Sequence, residues 1–175
     1  MTKYVALLRG INVGGHRKVP MADLRRTLTE LGYTEVRTLL QSGNAVFEAA
    51  EQPTADLVAA IEPQLLAEFG FAVDVMVRSA DELRAVAAAN PLEVRDPAKL
   101  AVAFLAEAPD PDVSAGLDPK SYAPDELRTG ERELYMYCPD GLGKARVTPI
   151  LMRRLGGAAT VRNWNTVTKL LAMVE

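Results

Sequence analysis

The sequence contains a single cysteine and a single histidine among its 175 residues. Cys138 therefore has no internal disulfide partner, and a cysteine-rich zinc site is excluded. No uninterrupted apolar run approaches the roughly 20 residues that span a bilayer. The first residues, MTKYVALLRG, predict a buried strand and not a signal peptide. We therefore expect a cytoplasmic protein with no membrane partner, no bound metal and no cofactor.

The standard nucleotide and hydrolase motifs are missing as well. In LLRGINVGGHRKVP (residues 7–20) the glycines follow the pattern G-x-x-x-G-G, which is neither the dinucleotide fingerprint nor a P-loop. In PDGLGKARVTP (139–149) the lysine follows a glycine, but Cys138 stands where a P-loop needs its first glycine and Ala145 where it needs Ser or Thr. No G-x-S-x-G elbow surrounds Ser42, which disfavours a serine hydrolase.

Charge is distributed unevenly along the chain. The net charge is −3, but residues 9–26 carry five basic side chains against Asp23, a net of +4. Residues 141–175 carry six basic side chains against Glu175, a net of +5, and residues 27–140 carry −13. This segregation favours an anionic partner where the basic segments meet, although solvated basic helix faces explain it equally well.

The first half of the chain has the pattern of an α+β domain. Short apolar runs predict strands, and leucines at helical spacing after Pro20 and after Thr54 predict two helices. The resulting order is β-α-β-β-α-β, that of the ferredoxin-like plait, over residues 1–79. The predicted strands are KYVALL (3–8), EVRTLL (35–40), NAVFEA (44–49) and FAVDVMVRS (71–79), and the helices end near Gly32 and Phe69.

The second half, residues 80–175, partly repeats this order. We predict a helix over 80–89, the strand LAVAFL, a short helix within 108–119, an antiparallel pair in DELRTG and ELYMYC, and two closing helices. The first closing helix starts near Thr148, and the last starts near Asn163. The expectation is a second, partly duplicated α+β half, ending in two helices and packed against the first.

The loop LLRGINVGGHRKVP is the first candidate site. Arg9 and Gly10 stand where a strand ends, and Gly14 and Gly15 let backbone amides turn towards a shared concavity. A helix N-terminus follows, and His16, Arg17 and Lys18 add positive charge. These features predict a pocket for a phosphate or a carboxylate. A glycine-rich connector with exposed charges is the alternative.

Two further segments concentrate polar residues. In LQSGNAVF, Gln41, Ser42 and Asn44 surround a turn at Gly43, where an ordinary hairpin would choose the same residues. In TVRNWNTVTKLL, Asn163 is suited to cap the last helix and Trp164 to anchor it. Arg162 and Asn165 are left without an assigned role, so that binding a ligand and bonding to the chain both stay open.

Three of these segments, LLRGINVGG, QSGN and RNWNTVTKL, resemble the signatures of a widespread bacterial family catalogued as a domain of unknown function, number sixteen ninety-seven. The resemblance extends over nearly the whole chain, and CPDG at Cys138 departs from the family's YPDG. It implies an α+β protein with ferredoxin-like halves and implies no reaction, cofactor or partner. The positions that match its motifs are Arg9, Gly10, Asn12, Gly14, Gly15, Ser42, Gly43, Asn44, Arg162, Asn163, Trp164 and Asn165.

The favoured hypothesis is a binding module for a small anionic ligand, with a pocket built from these three segments. The alternatives are single-stranded nucleic-acid binding on strand aromatics such as Tyr4 and Phe47, an enzyme using His16 and Arg9, and a protein-interaction domain with an exposed sheet edge. A sequence pI near 5.3 disfavours nucleic acid. The predicted ligand-binding residues are Arg9, Gly10, Asn12, Gly14, Gly15, His16, Lys18, Ser42, Asn44, Arg162, Asn163 and Asn165.

Overall fold

A computed structural model describes residues 1–155 and 159–175. It is an α+β structure with two four-stranded antiparallel sheets. The chain divides into two compact units, which we call unit 1 (Met1–Arg84 with Leu170–Glu175) and unit 2 (Ala85–Lys169). Within the described residues, no helix is both long and apolar enough to cross a membrane.

Unit 1 has the predicted β-α-β-β-α-β order. Its sheet has the strand order β2-β3-β1-β4, and the two central strands, β1 and β3, pair directly. The elements are β1 (Thr2–Leu8), α1 (Met21–Glu30), β2 (Thr34–Leu39), β3 (Asn44–Ala49), α2 (Thr54–Phe69) and β4 (Val75–Ser79). Helix α3 (Ala80–Ala88) follows, and the boundary between the two units falls within it, after Arg84.

The core of unit 1 follows from the periodic spacing of apolar residues in its strands and in its helices. Alternate residues of the strands and every third or fourth residue of α1 and α2 are buried together. Phe47 lies at the centre, where its ring stacks on Tyr33 with centroids 4.6 Å apart and on Tyr4 at 5.9 Å. Both strand aromatics, Tyr4 and Phe47, therefore belong to the face of the sheet that the helices cover.

Unit 2 repeats this plan. Its sheet order, β6-β7-β5-β8, again places the second, third, first and fourth strands of the unit side by side. The elements are β5 (Leu100–Leu105), α4 (Pro111–Ala115), α5 (Pro119–Tyr122), β6 (Glu126–Thr129), β7 (Glu133–Tyr137), α6 (Val147–Leu155), β8 (Ala159–Asn163) and α7 (Trp164–Val174). The last helix, α7, belongs to unit 2 up to Lys169 and to unit 1 from Leu170.

Strand β8 corrects the sequence-based prediction, which placed two helices and no strand at the end of the chain. The segment ATVRN pairs with β5 from Leu105↔Ala159 to Ala101↔Asn163. The sequence signal for a strand is weak here because the segment contains a charged residue, Arg162. The strand buries this residue at 8% exposure. The pairing with a distant apolar strand, and not local propensity, makes this segment extended.

The junctions after β4 and β8 show the duplication in the sequence itself, as VRS (77–79) and VRN (161–163). Ser79 Oγ accepts from Glu82 N (3.1 Å) and Glu82 Oε2 accepts from Ser79 N (2.8 Å), a capping box at the start of α3. Asn163 Oδ1 accepts from Thr166 N (2.9 Å) at the start of α7. The two asparagine- or serine-capped junctions are thus equivalent parts of the two units.

Candidate functional site

The candidate loop folds as a small hairpin, which we call the opening hairpin (residues 12–17). Asn12 N donates to Arg17 O (3.0 Å), and His16 N donates to Val13 O (3.1 Å). The two residues between Val13 and His16 are Gly14 and Gly15, and both have positive φ, +59° and +75°. That combination belongs to a type I′ turn, where glycine avoids the steric cost of a Cβ. The glycine pair is therefore required by a two-residue turn.

Asn12 fixes the base of the opening hairpin. Its Oδ1 accepts from Val19 N (2.8 Å), while its Nδ2 donates to Val19 O (2.9 Å) and to Gln41 O (2.7 Å). Its φ of +55° is one that asparagine adopts more readily than most residues. Since the carboxamide already makes three bonds, Asn12 acts as a positioning residue that joins the hairpin to the QSGN turn.

Two of the basic side chains in the loop contact the protein itself. Arg17 Nε donates to Gly10 O (2.9 Å), its Nη2 donates to Ala72 O (2.7 Å), and its guanidinium lies 4.8 Å from the centroid of the Phe71 ring. Arg9 Nη1 lies 3.6 Å from Asp74 Oδ2. These contacts join both arginines to residues 71–74, the segment just before β4.

The QSGN turn (residues 41–44) packs tightly against the base of the same loop. Gly43 has φ +93°, and a Cβ built on it would lie 2.7 Å from Ile11 Cδ1 and 2.9 Å from Leu8 Cβ. Asn44 is fully buried, and its Nδ2 donates to Leu39 O (2.7 Å) and Ser42 Oγ (3.1 Å). Gly43 and Asn44 thus serve the structure of the turn, and the Ser42 hydroxyl is a partner of Asn44.

The opening hairpin and the QSGN turn border a cleft of about 450 Å³. Lys18 and Gln41 are exposed there, and Pro20 places the N-terminus of α1 at the same cleft. Among the residues that the structure describes, no side chain caps that helix, so the partial positive charge of its N-terminus has no capping partner. The lining residues are Asn12, Gly15, Lys18, Pro20 and Gln41.

The structure therefore brings three predicted ligand-binding residues together at the cleft: Asn12, Gly15 and Lys18. Gly14 and His16 are exposed in the adjoining turn. The predicted list omitted Pro20 and Gln41. Gln41 was visible in the sequence as a polar neighbour of the turn, but its contact with Asn12 joins residues far apart in the chain and leaves no local signal.

The RNWN segment lies in unit 2, and its residues have identified local roles. Arg162 Nη1 donates to Thr160 Oγ1 (2.7 Å) and Val161 O (3.0 Å), and burial lowers the pKa of this guanidinium to about 10. Asn163 caps α7, while Asn165 is exposed and its backbone oxygen accepts from Thr168 Oγ1 (3.0 Å). It stays a prediction that a ligand contacts Arg162, Asn163 and Asn165.

Cys138 is a buried thiol at the end of β7. Burial, with a smaller contribution from the Asp125 carboxylate, raises its pKa to about 12. Asp125 Oδ2 also accepts from Arg146 N (2.7 Å) and Val147 N (3.1 Å) at the start of α6. The thiol stays protonated at neutral pH, so it is a packing residue and a poor nucleophile.

Residues 1–135 match the model of a family described as a protein of unknown function (DUF1697). The chain belongs to this family. The matched stretch includes the opening hairpin, the QSGN turn and most of β7, and the RNWNTVTKL motif lies beyond it.

The DUF1697 chain is also similar to a solved structure, described as that of the conserved bacterial protein SP0830 from Streptococcus pneumoniae. The two share 29% sequence identity and superpose with a TM-score of 0.81, covering 99% of each chain. No curated protein matches the chain. The likeness supports the α+β architecture over both units and names no ligand.

Proposed function

We propose that this DUF1697 protein binds a small anion, a phosphate or carboxylate group, in the cleft between the opening hairpin and the QSGN turn. One observation carries the proposal: the exposed Lys18 and the uncapped N-terminus of α1 border the same cleft. The segment around them, residues 9–26, has a net charge of +4. The site is proposed for a cytoplasmic protein, as the sequence suggests.

The groups at the cleft suit an anion chemically. Lys18 supplies a point charge, the side-chain amide of Gln41 supplies neutral donors, and the first turn of α1 supplies backbone N–H groups. Asp23, the acidic residue in that turn, lies 3.2 Å from Arg26 Nη1, an arginine that it shares with two other carboxylates. The three bonds of Asn12 hold the cleft in shape before a ligand enters, which lowers the entropic cost of binding.

The affinity expected for a bare anion is modest. A hydrogen bond to a charged group contributes about 1.5–3 kcal/mol. A helix N-terminus adds about 0.3–1 kcal/mol, and screening by salt reduces this further. Inorganic phosphate is therefore expected to bind with a Kd of about 1 mM, which corresponds to about −4.1 kcal/mol.

The core packing of unit 1 argues against the nucleic-acid alternative. Single-strand readers stack bases on aromatic side chains of an open sheet. Here Tyr4 and Phe47 are at most 1% exposed and are stacked within the core. These two side chains do not meet a base, so the small anion remains the favoured ligand.

The Lys18→Gln variant tests the proposal. Removing the charge while keeping a polar side chain should weaken inorganic phosphate binding about 5- to 10-fold, a loss of about 1–1.4 kcal/mol. Isothermal titration at low ionic strength measures the change. Lys120→Gln, at an exposed lysine of unit 2, is the matched control and should leave the Kd unaltered. Equal binding by the two variants, or no phosphate binding by the natural chain, refutes the proposal.

A further inference from the structure

Three basic side chains donate hydrogen bonds to three successive main-chain oxygens at the C-terminal end of α7. The bonds run from Arg37 Nη2 to Met173 O (2.5 Å), from Arg84 Nη2 to Val174 O (3.5 Å) and from Lys3 Nζ to Glu175 O (3.0 Å). The three cations come from β2, α3 and β1, and all six residues belong to unit 1. We call Lys3, Arg37 and Arg84 the α7 clasp.

The end of α7 needs such donors from elsewhere in the chain. A helix leaves its last four main-chain oxygens without a partner inside the helix, and its aligned peptide dipoles place partial negative charge there. Basic side chains in the last turn commonly offset this charge. The last turn of α7 reads LAMV (residues 171–174) and has no basic side chain of its own. The α7 clasp therefore supplies from β1, β2 and α3 what the helix sequence lacks.

Apolar burial alone holds the end of α7 only at two points. Leu170 is fully buried and Val174 is 1% exposed, four residues apart and therefore on the same face of the helix. Among residues 171–175, Val174 is the single buried residue, and Ala172 and Glu175 are exposed. Beyond Leu170, the position of the last turn thus depends on one apolar side chain and on the α7 clasp.

The α7 clasp is open to ions from the solvent. Arg37 and Arg84 are exposed, and a cavity of about 390 Å³ is lined by Lys3, Arg84 and Val174 among others. Arg84 Nη1 also lies 2.5 Å from the exposed Asp81 Oδ1, so this guanidinium is shared between a carboxylate and the helix end. Salt weakens exposed interactions of this kind, because the Debye length falls from about 10 Å at 0.1 M to about 3 Å at 1 M.

We propose that the α7 clasp is a salt-sensitive conformational device. At low ionic strength it holds the last turn of α7 on unit 1, and at high ionic strength it releases that turn while the sheet of unit 1 stays folded. The inference goes beyond the proposed anion site and does not depend on it, because the two share no residue.

Amide hydrogen exchange measured by NMR at residues 171–174 tests the proposal, since exchange reports local opening of a helix end. The triple variant that removes the charges is Lys3→Gln/Arg37→Gln/Arg84→Gln. At about 0.02 M salt, these amides should exchange about ten-fold faster in the triple variant than in the natural chain. At about 0.5 M salt, the natural chain should approach the rate of the variant, and the variant should change little. Amides 5–7 of β1 should keep their rates throughout.

Two further variants separate the role of charge at these positions from other effects. Lys120→Gln/Lys144→Gln/Arg153→Gln removes three exposed cations of unit 2 and should leave the exchange at residues 171–174 unaltered. Lys3→Arg/Arg37→Lys/Arg84→Lys keeps the three charges and should retain most of the protection.

Four results overturn the proposal: equal rates in the natural chain and the charge-removing variant, equal acceleration by salt in both, the same acceleration in the unit 2 control, or loss of protection in the charge-retaining variant. If the charge-removing variant does not fold, the natural chain decides alone. Exchange at residues 171–174 that is no faster at about 0.5 M than at about 0.02 M salt then overturns the proposal, and acceleration confined to these amides supports it.

Discussion

Gly43→Ala is expected to lower the free energy of unfolding by about 2–4 kcal/mol, the sum of an overpacking cost and a backbone cost. The new Cβ would lie 2.7 Å from Ile11 Cδ1 and 2.9 Å from Leu8 Cβ, both in buried side chains. Gly43 O also accepts from Leu8 N (2.9 Å), so the turn has little freedom to move away. Urea unfolding followed by circular dichroism measures the loss.

Gly10→Ala is the matched control for this substitution. Gly10 has φ +65°, but no atom of the described residues outside its chain neighbours lies within 4 Å of a Cβ built there. The free energy of unfolding of this variant should therefore fall only by the cost of the left-handed backbone, about 1–2 kcal/mol. If Gly43→Ala is no more destabilising than Gly10→Ala, the QSGN turn does not pack against the base of the loop as described.

Replacing Asn12 should produce the second large effect. Asn12→Ala removes the bonds to Val19 N, Val19 O and Gln41 O and is expected to lower the free energy of unfolding by about 2–4 kcal/mol. Most of this cost comes from the backbone groups of the fully buried Val19, which are left without their partner. Phosphate affinity should fall as well, because Asn12 positions the two sides of the cleft.

Asn12→Gly separates the energetic contribution of the side-chain hydrogen bonds from that of the backbone conformation. Glycine tolerates the φ of +55° as well as asparagine does, so this variant should retain most of the destabilisation of Asn12→Ala. Chemical denaturation of both variants gives the comparison. A loss below about 0.5 kcal/mol for Asn12→Gly, the size typical of a neutral surface change, would contradict the positioning role of Asn12.

Much of unit 1 was predictable because its elements carry strong local signals. KYVALL and NAVFEA are short apolar runs bounded by glycine or asparagine, and α1 has leucines at helical spacing after Pro20. The β-α-β-β-α-β order follows from these patterns without knowledge of any long-range contact. Strand β8 was missed because its extended conformation depends on pairing with β5, about sixty residues earlier in the chain.

The candidate site was only partly predictable for the same reason. Glycine and charge marked the opening loop, and the structure places Lys18 at a cleft there. The sequence does not reveal that Arg17 reaches Ala72 O or that Asn12 reaches Gln41 O, because these are contacts between distant residues. The sequence likewise does not reveal that Tyr4 and Phe47 lie on the face of the sheet that the helices cover.

The proposed anion site lies between the opening hairpin and the QSGN turn. A titration of the ¹⁵N-labelled protein with inorganic phosphate, followed by amide chemical shifts, tests this most directly. We expect saturable shifts concentrated at the amides of residues 15–19, 21–22 and 41–42, where the hairpin, the start of α1 and the turn border the cleft. Shifts that concentrate instead on the basic stretch 141–169, or none up to about ten times the expected Kd, would contradict it.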